Sequence, residues 1–444
     1  MATATMDARP AADAVAWRDF TGGLAEAERR GLPVLVSFDP GWTTAGQRLA
    51  LIVDRDARLR RAMRESCVPV QVDPLDRPDL ADRYQAEAAT LCGYPGPPTL
   101  LTLRPDRTAL IAFTSLLFEG DGHHAPSLAS ILLASAAALA GDLPEAGEPG
   151  AASPDHAPAR QPALIDPAGL EALADRAETD AAERDRLRAT LGAIIDGGVH
   201  DRIGGGFHRG SRDPGWIVPF FEKPLAENAA MAALLARAAS ILDEPDLAEC
   251  ADRTAAFVFA QLLADPDAQA IGADSDHYTF TPREFTKIVP PQASKTAAMH
   301  FHMTQAPVPH VIHAARSAED IARTEGTDLV TIRRDIALAT EHLARARAAR
   351  PAPPLIARPA TDRTATLLEG LIRASDRGCL ADGRDALATM AFDLLSAREI
   401  APGRGWRHTR TGKRGYASDE AAARVLARRA RQSFDEVRFD RFLT

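Results

Sequence analysis

The run Asp196 to Asn228 reads DGGVHDRIGGGFHRGSRDPGWIVPFFEKPLAEN, and the larger part of the chain is organised around it. It holds Gly197, Gly198, Gly204, Gly205, Gly206, His200, His208, Asp201, Arg202, Arg209, Arg212, Trp216, Glu222 and Lys223 in one segment. An Ala/Leu-rich helical pattern leads into it from Leu187, and another leaves it from Glu222 to Leu242. A long loop between two helices, rich in glycine and in ionisable and aromatic groups, points to function. The glycines permit positive φ and close approach of another segment or a ligand.

From Leu164 onward nearly everything outside this loop is helical. The helices expected are 167–179, 181–195, 225–242, 246–264, 329–349, 361–375, 384–398 and 419–431. Short connections between them imply antiparallel neighbours, hence helical hairpins. Working back toward the start, Gly141 to Pro162 is rich in Pro, Gly, Ala and Ser, which gives a linker over 141–163.

Before the linker the pattern changes. Ala14–Arg30 reads as a helix, PVLVSF (Pro33 to Phe38) as a short buried strand, and Ala45 to Glu65 as a helix. VPVQVD is a second strand, Leu80 to Leu91 a helix, and GPPTLLTLRPD with TALIAFT a hairpin; a helix over Ser127 to Ala140 closes the segment. The order α, β, α, β, α, β, β, α is that of a thioredoxin-like fold over residues 1–140.

Composition bounds what these parts do. The chain has 444 residues, 45% apolar and 25% charged, the profile of a soluble globular protein of two or three domains. A net charge of −9 argues against a nucleic-acid partner, because a phosphate backbone needs a basic face. The start, MATATMDARPAAD, lacks an apolar signal core, and no apolar run approaches the ~20 residues that span a membrane. The expectation is a cytoplasmic protein with no membrane partner. Cys67, Cys92, Cys250 and Cys379 are scattered without motif spacing, which fits a reducing compartment.

IGGGFHR, then Trp216, then PFFEKPLAEN, resembles a family that joins a thioredoxin-like domain to an α/α-toroid and includes the spermatogenesis-associated thioredoxin-like proteins. Its toroid is related to those of the N-acylglucosamine 2-epimerases and six-hairpin glycosidases. The resemblance implies a degenerate thioredoxin-like domain, then a trimmed toroid over 164–444, since a full six-hairpin ring needs about twelve helices. It also implies a cis-proline at Pro98. IGADSDHYTFTPREF resembles the family's acidic loop, and Thr361-Asp362-Arg363 and Gly415-Tyr416-Ala417-Ser418-Asp419 resemble later segments at the toroid mouth. Departures are equally plain: Phe220 stands where relatives carry His, Pro224 where they carry Met, and Glu369 where they carry Asn.

In a working thioredoxin domain the loop after the first strand carries two cysteines, the first activated by the following helix N-terminus. Here Asp39-Pro40-Gly41-Trp42-Thr43-Thr44-Ala45-Gly46 has none, so dithiol exchange is not expected. For the toroid, His208, Glu222 and Lys223 are the catalytic candidates, with His208 as base and Glu222 as acid. Arg209, Trp216, Asn228, Asp274 and Tyr278 are the ligand-contacting candidates, Trp216 as a stacking platform. The bland alternative is that Glu222 and Lys223 cap the next helix and His208 satisfies loop carbonyls. Asp274, Asp276 and His277, or His300, His302, His310 and His313, carry metal-ligand types, but neither set has a motif spacing; no metal and no cofactor is assigned.

Two functions of different class follow. One is epimerase- or glycosidase-like activity on, or binding of, a small polar, carbohydrate-like molecule. The other is a non-catalytic binding or regulatory protein, with the thioredoxin-like domain as a docking piece for a protein partner. A thiol oxidoreductase is disfavoured by the cysteine pattern.

Overall fold

The computed structural model describes residues 15–92, 99–114, 128–141, 163–303, 309–412 and 414–443. The chain divides into two compact units, Met1–Ala159 and Arg160–Thr444. The expected linker (apart from its end residues) and Pro98 lie outside the described residues.

The first unit runs α1 (Phe20–Arg30), β1 (Val34–Phe38), α2 (Thr44–Arg55), α3 (Ala57–Ser66), β2 (Val68–Val72), α4 (Pro78–Cys92), β3 (Thr99–Leu103), β4 (Ala109–Thr114) and α5 (Leu128–Ala140). The sheet order is β2-β1-β3-β4, with β1 parallel to β2 and antiparallel to β3. Every residue of β1 is buried, as a strand covered on both faces requires. Two expectations are corrected. The first helix begins at Phe20, not Ala14, because Asp19 is extended and its carboxylate accepts the Gly22 N–H as N-cap. The helix expected over 45–65 is two helices, because Asp56 leaves helical geometry and caps α3 through the N–H groups of Arg58 and Leu59.

The second unit contains β5 (Ala163–Leu164), α6 (Pro167–Ala177), α7 (Ala181–Asp196), β6 (Gly210–Ser211), β7 (Lys223–Pro224), α8 (Leu225–Leu242), α9 (Pro245–Ala264), β8 (Ala268–Ile271), α10 (Ser275–Tyr278), β9 (Thr279–Phe280), α11 (Pro282–Ile288), α12 (Pro291–His300), β10 (His310–Val311), α13 (Ala318–Glu325), α14 (Leu329–Ala348), β11 (Leu355–Ala357), α15 (Thr361–Ser375), α16 (Arg384–Arg398) and α17 (Ala417–Phe434). Helices α12 and α13 fall where no helix was expected.

Helix α8 is the centre of this unit. It is apolar enough and, at 18 residues, long enough to cross a membrane, but it is mostly buried within the core. Its alanines let neighbours approach closely: Gly370 of α15 lies against the backbone of Ala229, where a Cβ would come within 2.9 Å. Further along, Arg237 of α8 and Arg373 of α15 both pair with Glu171. Between α15 and α17, the Asp362 N–H meets Asp419 near the helix starts, and Glu369 meets Arg429 further on. Helices α8, α15 and α17 therefore lie side by side and run the same way. The N-terminal ends of α8 and α15 are tied together by β8, which pairs with β7 and whose Gln269 bonds Thr364.

Candidate functional site

The glycine-rich loop folds into a tight hairpin on the N-terminal end of α8. The His208 N–H donates to the Val199 carbonyl, and the Asp201 N–H to Gly206. Gly206 adopts a φ of +74°, and a Cβ there would meet the Phe257 ring at 2.5 Å, so only glycine fits. Asn228, on the first turn of α8, clamps the hairpin. Its Oδ1 accepts the Phe207 N–H at 2.6 Å, and its Nδ2 donates to the carbonyls of Phe207 and Pro224.

Asp201 is the hub. Lys223 Nζ donates to Asp201 Oδ2 at 2.5 Å and to the Gly205 carbonyl at 2.8 Å. Arg347, near the end of α14, donates to Asp201 Oδ1 at 2.7 Å. The Lys223 ammonium also lies 4.8 Å from the centre of the Phe257 ring and 5.0 Å from that of Tyr278. All three charged side chains are buried: their exposures are 2% for Lys223, 6% for Asp201 and 6% for Arg347.

His208 belongs to the same cluster. Its ring stands edge-on to Tyr278 at 4.6 Å and to Phe221 at 5.8 Å. Its Nδ1 is buried and meets no hydrogen-bond partner among the described residues. Burial, with the Lys223 charge adding to it, holds its imidazole well below the usual histidine range, so the ring is neutral. Burial also brings Lys223 down to about 8 against the pull of Asp201. Burial opposes ionisation of Asp201, but Lys223 and Arg347 together hold its carboxyl well below the usual range.

Glu222 faces elsewhere. Its carboxylate pairs with Arg209 Nε at 3.3 Å, with Arg212 near enough to feel its charge. Neighbours in an extended segment point to opposite sides, so His208 with Lys223, and Arg209 with Glu222, form two separate sets. Trp216 joins neither: it packs against the apolar core from a turn where its φ is +62°. Asp274 is N-cap of α10, accepting the N–H groups of Asp276 and His277, while the His277 ring bonds the Pro351 carbonyl. Phe220 is buried, and Pro224 sits at the N-cap of α8. Of the residues singled out from sequence, the structure joins His208, Lys223 and Tyr278, and leaves Glu222, Arg209, Trp216 and Asp274 outside that set.

Arg347 completes the cluster without any signal in the sequence, since it lies on a helix far along the chain. A second buried group also escaped the sequence reading: Asp362, His408 and Asp419. Two of its members lie in the segments that resembled toroid-mouth loops. The histidine cluster is partly spent on backbone, His300 Nδ1 on the Arg316 carbonyl and His313 Nδ1 on that of Val311.

In the first unit, the helix start that would stabilise a thiolate is otherwise occupied. Thr43 is the N-cap of α2; its Oγ1 accepts the Gly46 N–H at 2.9 Å and donates to Asp39 Oδ2 at 2.7 Å. Asp39 also accepts the Gly41 N–H. Cys67 lies elsewhere, bonded to the Met63 carbonyl, its thiol pushed up to about 12 by burial.

Sheet order and helix placement thus define a thioredoxin-like unit without its dithiol, followed by a helical unit. Residues 6–143 match the family model described as Thioredox_DsbH, protein of unknown function, DUF255. Spermatogenesis-associated protein 20 of Mus musculus is 27% identical over 114 residues, 23% of this chain and 14% of that protein. An uncharacterized protein of Caenorhabditis elegans, B0495.5, is 47% identical over 47 residues, 11% of this chain and 6% of that protein. These matches show that the first unit is similar to the thioredoxin-like part of this family. The matches span only a small part of these relatives' length.

Proposed function

We propose that this protein is a non-catalytic binding or regulatory protein, in which a toroid-like helical framework is retained and its acid–base groups are consumed in holding that framework together. One observation carries the reading: Lys223, the charged residue of the Phe-Glu-Lys motif that shares a cluster with His208, is buried and bonded to Asp201 and Gly205. A general acid or base must reach the proton it moves. Here His208 is neutral beneath Tyr278 and Phe221, and Glu222 is tied to Arg209 on the other side. The family's His position is Phe220, and a phenyl ring transfers no proton.

The thioredoxin-like unit, with Thr43 and Asp39 on its helix start, serves in this reading as a docking piece for a protein partner. The ligand class kept for the helical unit is a small polar, carbohydrate-like molecule, which rests on the resemblance, and a fold does not fix a reaction; the cytoplasmic setting rests on the scattered cysteines. The test is a panel of sugars and sugar phosphates, followed by calorimetry and product NMR. Binding without turnover is expected. Rapid epimerisation or hydrolysis of a panel member, abolished by Glu222→Gln, would show the reading to be wrong.

A further inference from the structure

We propose that Asp362, His408 and Asp419 form a binding site for one divalent transition-metal ion of the zinc or manganese type. This inference is independent of the role given to the central loop.

The three residues come from three separate segments. Asp362 is the second residue of α15, Asp419 the third of α17, and His408 lies in the connection between α16 and α17. His408 Nδ1 is 2.9 Å from Asp419 Oδ1 and 3.9 Å from Asp362 Oδ1. One donor atom from each residue lies within 4.8 Å of the other two. An ion with bonds of about 2.0–2.2 Å in a tetrahedral set holds its donors about 3.3–3.5 Å apart. The observed separations straddle that spacing, so small side-chain shifts bring all three onto one ion.

The donors are held in place by a surrounding shell. Asp419 Oδ1 accepts the Asp362 N–H at 3.0 Å, Asp419 Oδ2 the Tyr416 N–H at 2.8 Å, and Asp362 Oδ1 the Arg363 N–H at 2.8 Å. A carboxylate oxygen has two lone pairs; on Asp419 Oδ1 the second faces His408 Nδ1 at 2.9 Å, and an ion between the two would replace that contact. Thr361 Oγ1 donates to the Arg407 and His408 carbonyls, which anchors the connection that carries the imidazole. The Tyr416 ring stands edge-on to His408 at 5.0 Å.

Charge supplies the second argument. All three residues are buried, so a positive charge placed between the two carboxylates acts on them with little screening by water. A divalent ion provides it, with His408 Nδ1 as a neutral ligand. The imidazole directs the choice: Mg²⁺ and Ca²⁺ prefer oxygen donors throughout, whereas zinc and its neighbours take mixed nitrogen and oxygen sets. Three protein donors leave a fourth position for water or a ligand group. The ion would join the N-terminal ends of α15 and α17.

The experiment uses the full chain, stripped with EDTA and titrated with ZnCl₂, MnCl₂ and MgCl₂ by calorimetry. Bound metal is counted by mass spectrometry after gel filtration. The expected result is one Zn²⁺ or Mn²⁺ per chain, a higher melting temperature with metal, and an affinity about 100-fold lower in His408→Gln. His313→Gln should bind as the wild type does. X-ray absorption on the zinc-loaded wild type should show imidazole among nitrogen and oxygen neighbours, a readout that needs no variant to fold. Failure of the wild-type chain to hold either ion overturns the proposal, as does Mg²⁺ binding with equal affinity. Binding lost in His313→Gln but kept in His408→Gln would also overturn it, by placing the ion at the histidine cluster.

Discussion

Arg347 Nη1 meets Asp201 Oδ1 at 2.7 Å across a sequence separation of 146 residues, and this bond closes the central loop onto α14. The same carboxylate holds Lys223 with its other oxygen, so one buried aspartate neutralises two buried cations. Gly204 sits where a Cβ would lie 2.3 Å from the Arg347 guanidinium, which gives the first glycine of the triplet its reason.

The network predicts a large cost for breaking one member. Lys223→Met should destabilise the protein by about 3–5 kcal/mol, because the loss leaves buried partners mismatched. Asp201→Asn should cost a similar amount by stranding two cations. The double variant should lose clearly less than the sum, since the two residues share one interaction. Urea unfolding of the four proteins checks this. Single-variant losses under about 1 kcal/mol would mean that the pair is water-exposed in solution.

Acid should destabilise the protein earlier than carboxylate titration alone would. Burial drives His200 down to about 3 and His300 to about 4, and holds His208 well below its usual range. In the unfolded chain these rings protonate near 6.5, so below that pH the unfolded state binds more protons than the folded one. Stability is therefore full above about pH 6.5 and is lost as pH falls toward the folded values, at about 1.4 kcal/mol per pH unit for each ring. Asp201, whose folded pKa is depressed, adds its own loss only at lower pH. Unfolding free energies between pH 7 and 4 test this, and His200→Gln should flatten the slope.

The cysteines should be unreactive. Cys67, Cys250 and Cys379 are buried, and burial pushes their thiols up to about 12, 11 and 11. Cys250 lies 3.6 Å from His200 Nε2, but that imidazole is held neutral, so no thiolate–imidazolium pair forms. Iodoacetamide with peptide mass spectrometry should label these three positions only after unfolding. An insulin-reduction assay should show no turnover; activity removed by Cys67→Ser would contradict the reading of Thr43 and Asp39.

Much of the fold was written in local pattern. The buried run Val34–Phe38 and the Ala/Leu repeats of α8 and α9 follow from periodicity. Helices α12 and α13 did not, because they are short and begin at prolines or among charges, with few turns to display a period. The expected helix over 45–65 hid its break, since the apolar spacing continues past Asp56 and only the cap geometry separates α2 from α3. At the site, the glycine triplet marked the loop, but not which way its side chains point. The alternation of His208 with Arg209 and of Glu222 with Lys223 was readable once both were taken as extended. Arg347 and His408 were not, because each meets its partners through contacts between distant segments.

Strand β5 pairs with β6, Ala163 opposite Ser211 and Leu164 opposite Gly210, and the Ile165 N–H donates to the Arg209 carbonyl. Gly210 permits this close approach, since a Cβ there would lie 2.3 Å from the Ala163 carbonyl oxygen. Arg209, held on this side, in turn pairs with Glu222. We therefore expect residues 160–444 to fold as an independent unit, and residues 167–444 to be weaker by about 1–3 kcal/mol, the worth of a few net hydrogen bonds. Chemical unfolding of the two chains measures the difference. The shorter one should also show faster amide exchange at Ser211, whose backbone edge it uncovers. Equal stability and equal protection would mean that β5 is no part of the helical unit, and that its boundary lies after residue 166.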